Sequence, residues 1–393
     1  MSVPGLSVHL DLNDPSTAAT WGADITSKVR GFSISRGTST ELQRTEAGRG
    51  TMTVDNRDGR FTPMNSLSPY YPNILPMRRI RIRAIWNSVF YPVFQGYVAG
   101  WPLSFPAKRD QIASLELVDG FAILALAKLS TSLSSALSGA YIGSVLDAIG
   151  WPSADRNLNT GVSTMPASTL DNVPALEHLL KVERAESGRI FIARDGKLTF
   201  IDRAAFTAPI SNYAGRTWTD TGVGMRYREL TPRFDEVLII NQARLTRTGG
   251  TEQVAQNAAS AAKYGTAATN FRTLSESDVL LATDNDVLDL ASWTVNTYGE
   301  PAQRIEALQD NAMGHNLWDQ LLSRELADPV LVEQHHTGAN AISQKSVLEG
   351  ILHAVSPGQS RTSINVSPST ALSTWIWDDP VYSIWDSTTR WGR

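Results

Sequence analysis

R-T-E-A-G-R-G-T-M-T-V-D-N-R-D-G-R-F-T-P-M-N, from Arg44 to Asn65, sets a strand against a turn. Small polar and apolar side chains alternate from Thr51 to Val54, the period of a half-buried strand. Asp55, Asn56, Asp58 and Gly59 then form a structural turn, because Asn and Asp tolerate left-handed backbone and Gly has no Cβ to clash. Phe61, Pro63 and Pro69-Tyr70-Tyr71-Pro72 follow. Each proline biases its predecessor away from helix, so this segment is expected to cross a surface in extended form.

Working outward, Leu6–Leu12, Val29–Ser35, Ile80–Trp86, the Gly96–Val98 pivot and Ala113–Val118 read as strands bounded by Gly, Pro, Asn or Ser, an antiparallel β-domain over residues 1–118. From Asp119 the period changes. Phe121–Leu129 is rich in alanine and leucine and predicts a helix. Ile142–Ile149 predicts a second, closed by Gly150, and Pro174–Ala185 a third, capped by Asp171 or Asn172. Gly188–Phe200 predicts a hairpin with Asp195-Gly196 at a two-residue tip. This helical segment spans 119–203.

A second β-rich region covers 204–367. Val237–Leu245 predicts a strand, and 249–270, small and polar, a mobile loop excursion. Asp286–Tyr298 has apolar residues at helical spacing, with Asp284 as cap. A strand at Ala302–Leu308, a short helix at 317–322 and strands at Val330–Gln334, Ser346–Val355 and Arg361–Ser367 complete it. Residues 368–393 form a tail holding four of the 11 tryptophans, Trp375, Trp377, Trp385 and Trp391, among Asp378, Asp379 and Pro380. The fold class is mainly β, α+β.

V-D-N-R-D-G-R-F-T-P-M-N, continued by S-P-Y-Y-P-N-I-L-P-M-R-R-I-R-I-R-A and by F-Q-G-Y-V-A-G-W, resembles the minor tail or tail-tip hub proteins of siphophages, long-tailed phages of Gram-positive hosts. D-N-x-D-G alone is an ordinary turn; several elements in one order at fixed spacing carry the resemblance. It implies two antiparallel β-barrel-like domains with the small helical segment inserted between them, like the baseplate hub of contractile phages. It also implies a homotrimeric ring, six similar units about a central channel. The implied location is the virion tail tip, assembled in the host cytoplasm. The implied partners are further copies of the chain, the tail tube or distal tail protein above, other minor tail or receptor-binding proteins, and tape-measure protein or DNA in the channel. The work is mechanical: seating tip proteins and gating the channel. Two alternatives stay open, a hexameric distal-tail ring and a protein that binds host-wall carbohydrate.

Composition narrows the choice. A hydrophobic content of 42% and a charged content of 19% fit folded units, and surface with few charges suits other subunits. The net charge of −4 makes the whole molecule a poor partner for nucleic acid. Cysteine is absent, which removes disulfides and thiolate chemistry. No basic leader and no apolar run of about 18 residues stands out, so a soluble product without membrane insertion is expected.

Each candidate site competes with a plainer reading. Asp55-Asn-Arg-Asp-Gly fails as a calcium loop, since Arg57 and Gly59 occupy positions that need oxygen ligands. His335 and His336 point to opposite faces of a strand and His353 lies elsewhere, so no metal set forms. Asp284/Asp286 and Asp378/Asp379 could flank a glycosidic bond, but a helix start and a proline loop explain them. No nucleophile motif, phosphate loop or cofactor is expected, and no enzymatic activity.

On a strand Arg79, Arg81 and Arg83 share one face. That face meets either an anionic partner or cross-strand carboxylates, and the negative net charge favours the latter. Tyr70, Tyr71 and these arginines are candidate interface residues. The four tail indoles contact a subunit, close the last barrel, or stack on sugars.

Overall fold

The computed structural model describes residues 3–38, 44–107, 110–207, 213–234, 236–265, 271–310, 317–335, 338 and 341–369. Their framework is a 14-stranded sheet, antiparallel along its main path. From one edge it runs Tyr227–Phe234, Gln303–Asp310, Gln359–Pro368, Ile342–Ser356, Val29–Gly37, Arg49–Asp55, Asp110–Val118, Val89–Gly100, Arg78–Trp86, Gly5–Asp11 and Ala23–Asp24. The opening stretch therefore lies near the middle. Arg49–Asp55 pairs with Val29–Gly37 on one side and Asp110–Val118 on the other, and its Met52 and Val54 are fully buried.

The pairing of Val29–Gly37 with Ile342–Ser356, Ile34 opposite His353, joins the first β-region to the second. One hydrophobic cluster then spans both, from Val8, Ile34, Met52 and Ile82 to Trp218, Trp318, Leu348 and Ile364. Burying each such side chain contributes roughly 1.5–3 kcal/mol. The short helix Trp318–Leu322 packs on this sheet, with the Trp318 and Trp86 rings 6.4 Å apart.

A second cluster forms beside it. The helices Phe121–Leu126, Ser138–Ala148 and Ala175–Glu186 supply Leu124, Ile142, Val145, Leu179 and Val182. The small sheet of Gln242–Arg247, Gln253–Gln256 and Thr273–Val279 adds Leu245 and Val279, and the helix Asp284–Tyr298 adds Val287, Leu290 and Val295. Residues 242–298 thus bury their apolar faces against the helical segment and not against the large sheet.

The hairpin Arg189–Ile192/Leu198–Ile201 lies between the clusters. Side chains alternate across a strand, so Ile190 and Ile192 enter the second cluster while Phe191 enters the first. Four charged or polar ties reinforce this seam. Arg189 meets the buried Glu349 through Nε at 3.1 Å and Nη2 at 3.3 Å. Glu325 accepts from Arg36 Nη1 at 2.7 Å and from the Arg194 backbone at 2.8 Å. Thr45 donates to Glu183. Asp119 accepts from the Gly48 and Phe121 amides at 2.6 and 2.9 Å.

Several local expectations need correction. Residues 56–71 are not extended. Five i→i+3 backbone bonds make consecutive turns, at Asn56–Gly59, Gly59–Thr62, Thr62–Asn65, Asn65–Ser68 and Ser68–Tyr71. Pro63 and Pro69 occupy second positions of two of them, where a fixed φ near −65° preorganises the turn. The helix from Phe121 ends at Leu126, because Lys128–Leu133 pairs with Ser168–Pro174. Asp171 and Asn172 do not cap the third helix: they belong to that strand, where Asn172 takes φ +55°, and Pro174 is the N-cap.

The hairpin tip holds three residues, Arg194–Gly196, with Gly196 at φ +88° and Ala193 bonded to Lys197, the longer form that puts glycine in the left-handed position. Val237–Ile240 precedes the strand, which starts at Gln242. Residues 253–264 are a strand and a helix, the latter capped by Asn257, whose side chain accepts from Ser260. Thr283, not Asp284, caps the long helix, in a reciprocal box with Asp286.

Candidate interaction surface

Asn56 is the buried centre of the turn series. Its Oδ1 accepts from the Phe61 amide at 2.8 Å and its Nδ2 donates to Thr62 Oγ1 at 3.0 Å. Gly59, at φ +69°, donates its amide to Asn56 O, and Asn65 Nδ2 returns to Gly59 O at 2.9 Å. Asp58 accepts from Lys28 Nζ at 2.9 Å and Arg60 Nε at 2.8 Å. Side-chain bonds from Arg57 hold the Asp55 carboxyl well below the usual carboxylate range. Every acid of the turn already has a partner, so the geometry is that of a locked loop.

That loop carries aromatic and apolar groups. Phe61 is fully buried, with its ring 5.8 Å from Tyr70 and 6.5 Å from Trp101. The Arg60 guanidinium lies over Tyr70 at 5.9 Å. Tyr71 is half exposed, and Met64 and Leu67 stand out almost fully, at 88% and 91%. Tyr70 is therefore part of the support and Tyr71 part of an apolar rim.

Along Arg78–Trp86, Ile80, Ile82 and Ala84 face the core, which turns Arg79, Arg81 and Arg83 to the opposite face. They do not behave alike. Arg79 Nη1 donates to the buried Asp11 at 2.8 Å, the cross-strand carboxylate pairing expected of such a face. Among the described residues, Arg81 and Arg83 have no carboxylate partner. Arg81 stacks on Trp21 at 4.7 Å and Arg83 on Phe90 at 4.5 Å, cation–π contacts that fix the guanidinium planes. Their Nε atoms are buried without acceptors.

Trp21 takes φ +54°, uncommon for a bulky side chain, so its ring is held under Arg81 at some backbone cost. The Asn87-Ser88 turn, φ +48° and +63°, returns the chain so that Phe90 underlies Arg83. His9, opposite Arg81, is biased toward the neutral form by burial and by Arg81 and Arg83. The aromatic supports Trp21 and Phe90 were not legible as such: neither lies in the arginine run, Trp21 coming from the irregular stretch before Ala23–Asp24 and Phe90 from the strand paired with the arginines.

The other candidates fall in separate places. His335 Nδ1 lies 2.7 Å from Asp220 Oδ1 at the surface, and His353 Nδ1 lies 3.0 Å from Thr362 Oγ1, within a neighbourhood that lowers its pKa. His336 and Trp375, Trp377, Trp385 and Trp391 lie outside the described residues, as do Asp378 and Asp379. Among the described residues no cluster of three His, Asp or Glu could hold a metal ion, and no helix is long and apolar enough to cross a membrane.

No protein-family model matches the chain, and no curated protein matches its sequence significantly. Its fold, however, is shared with solved structures. A 43 kDa tail protein of prophage MuSo2 from Shewanella oneidensis superposes with TM-score 0.58 at 12% identity, covering 94% of this chain and 99% of that one. A tail protein from Neisseria meningitidis gives 0.57 at 9% identity, covering 93% and 98%. A chain of the half-lidded Francisella PdpA–VgrG complex gives 0.51 at 9% identity, and this chain spans 60% of its length. The chain has the fold of phage tail proteins.

Proposed function

We propose that the chain is a structural subunit of a bacteriophage tail, and within the tail a hub ring at the distal end of the tube. The observation that carries this reading is the near end-to-end match, in both directions, to the Shewanella and Neisseria tail proteins. A partial match would leave room for an unrelated function in the remainder; this one leaves little.

The described surface supports a mechanical role. The acids of its turn series, Asp55 and Asp58, are held by neighbouring cations, and its exposed apolar rim and preset arginines suit contact with other proteins. In this reading the β-regions 1–118 and 204–367, joined edge to edge, are the two units that a threefold axis multiplies to six. The helical segment 119–203 is the insert clamped to them. Copies of the chain close the ring, the tube or distal tail protein sits above, and other tip proteins seat below. Closing a ring also covers exposed strand edges.

Native mass spectrometry of the purified chain tests the stoichiometry. A trimer is expected. A hexamer supports the distal-tail ring instead, and a monomer at all concentrations contradicts both.

A further inference from the structure

A cleft of about 470 Å³ opens between the helices Ala175–Glu186 and Asp284–Tyr298, beside the strand Thr273–Val279. Its walls are largely apolar: Leu180 on the first helix, Leu290 and Trp293 on the second, and Leu274 on the strand. The Trp293 ring stays partly exposed and is braced edge-on by Tyr298 at 6.1 Å. Size and lining are those of a binding pocket, for which roughly 300–1,000 Å³ is usual.

The charges around the cleft are unequally matched. Arg184 donates to Glu276 at 2.6 Å, Lys181 lies 3.9 Å from Glu177, and Arg189 is taken by Glu349. Glu183 is buried at the floor, accepting from Thr45 and from the Ile190 amide at 3.0 Å, and that burial outweighs the nearby Arg189 and Arg44 in raising its pKa. Arg44 is exposed at the lip, with no carboxylate partner among the described residues. An entering anion therefore meets one uncompensated guanidinium, whose edge donors match a carboxylate.

The strand adds a feature that suits a peptide. Thr273–Val279 pairs with Gln242–Arg247 on one side and ends its sheet on the other, so its outer backbone groups have no strand partner among the described residues. An extended chain laid along such an edge gains main-chain bonds, and its alternate side chains fill pockets on one face.

We propose that the cleft docks an extended segment of a partner protein that carries an apolar side chain two residues from a carboxylate. The apolar side chain packs on Leu290 and Trp293, and the carboxylate meets Arg44. The site goes beyond the ring described above and stands or falls without it.

Fluorine NMR tests this with the blocked peptide acetyl-Thr-Phe-Thr-Glu-Thr-Val-amide, its phenylalanine ring fluorinated, titrated with the full chain. Saturable binding is expected. Moving the fluorine to the valine and replacing phenylalanine with alanine should weaken binding at least about tenfold, the scale of one buried aromatic side chain. Replacing the glutamate with glutamine, or Arg44→Gln in the chain, should each cost about fivefold, the upper range for an exposed ion pair. Both together should cost no more than either alone, because they remove the same contact. Leu274→Glu, at a half-buried wall position, should weaken binding as the alanine peptide does. No saturable binding, indifference to the phenylalanine, to the glutamate or to Leu274→Glu, additive losses in the Arg44 cycle, or 4-phenylbutanoate binding as tightly as the peptide overturns the proposal.

Discussion

At the residue scale, Asn56 and Asp119 are the polar groups on which the loop and the seam most depend. Asn56→Ala strands the Phe61 amide in a buried site, and a buried unsatisfied group costs about 1–3 kcal/mol. Chemical denaturation should show that loss, with an unchanged denaturant slope. Gly59→Ala forces a Cβ into left-handed backbone 2.9 Å from Asn65 Nδ2, and about 1–2 kcal/mol should follow. Asp119 is pushed up to about 6 by burial, against the pull of its two amide donors. Its folded pKa therefore lies above its unfolded value. The stability it contributes is complete below about pH 4 and is lost as pH rises through 6. A carbon-13 titration of this carboxyl should have its midpoint near 6; a midpoint near 4 contradicts the burial argument.

Among elements, the hairpin Arg189–Ile201 is the seam on which both hydrophobic clusters depend. Glu349→Ala removes the bidentate partner of Arg189, and breaking a buried pair costs about 3–5 kcal/mol. Hydrogen exchange should quicken across the hairpin and the helix Ala175–Glu186 before it does in Arg49–Asp55. Uniform change throughout the molecule would contradict the seam. Strands with strict alternation, such as Gly5–Asp11, Val29–Gly37 and Arg78–Trp86, were legible because one face is buried and the period reports it. The turn series was not. Its prolines are equally compatible with extended chain, and the deciding bonds come from Asn56, Asn65 and Ser68 side chains several residues away. Pro174 and Thr283 took capping places assigned to nearby residues, since shifts of one to three residues at helix ends are invisible to periodicity.

For the whole molecule, the alternation of each β-region could be read, but not that strand Val29–Gly37 finds Ile342–Ser356 more than 300 residues later. Nor could the packing of residues 242–298 on the helical segment, because an amphipathic face does not name its partner. The arginine stripe was legible as a stripe; its division into one arginine paired with Asp11 and two stacked on rings depends on register with Gly5–Asp11 and Val89–Gly100 and on the non-strand residue Trp21. The fold shared with phage tail proteins is the ground for the architectural role proposed above. A cryo-EM reconstruction of the intact phage tail tests that role most directly. The account predicts three copies of this chain in a ring on the tail axis, at the end of the tube. Density for the chain off the axis, or six copies in the ring, would contradict it.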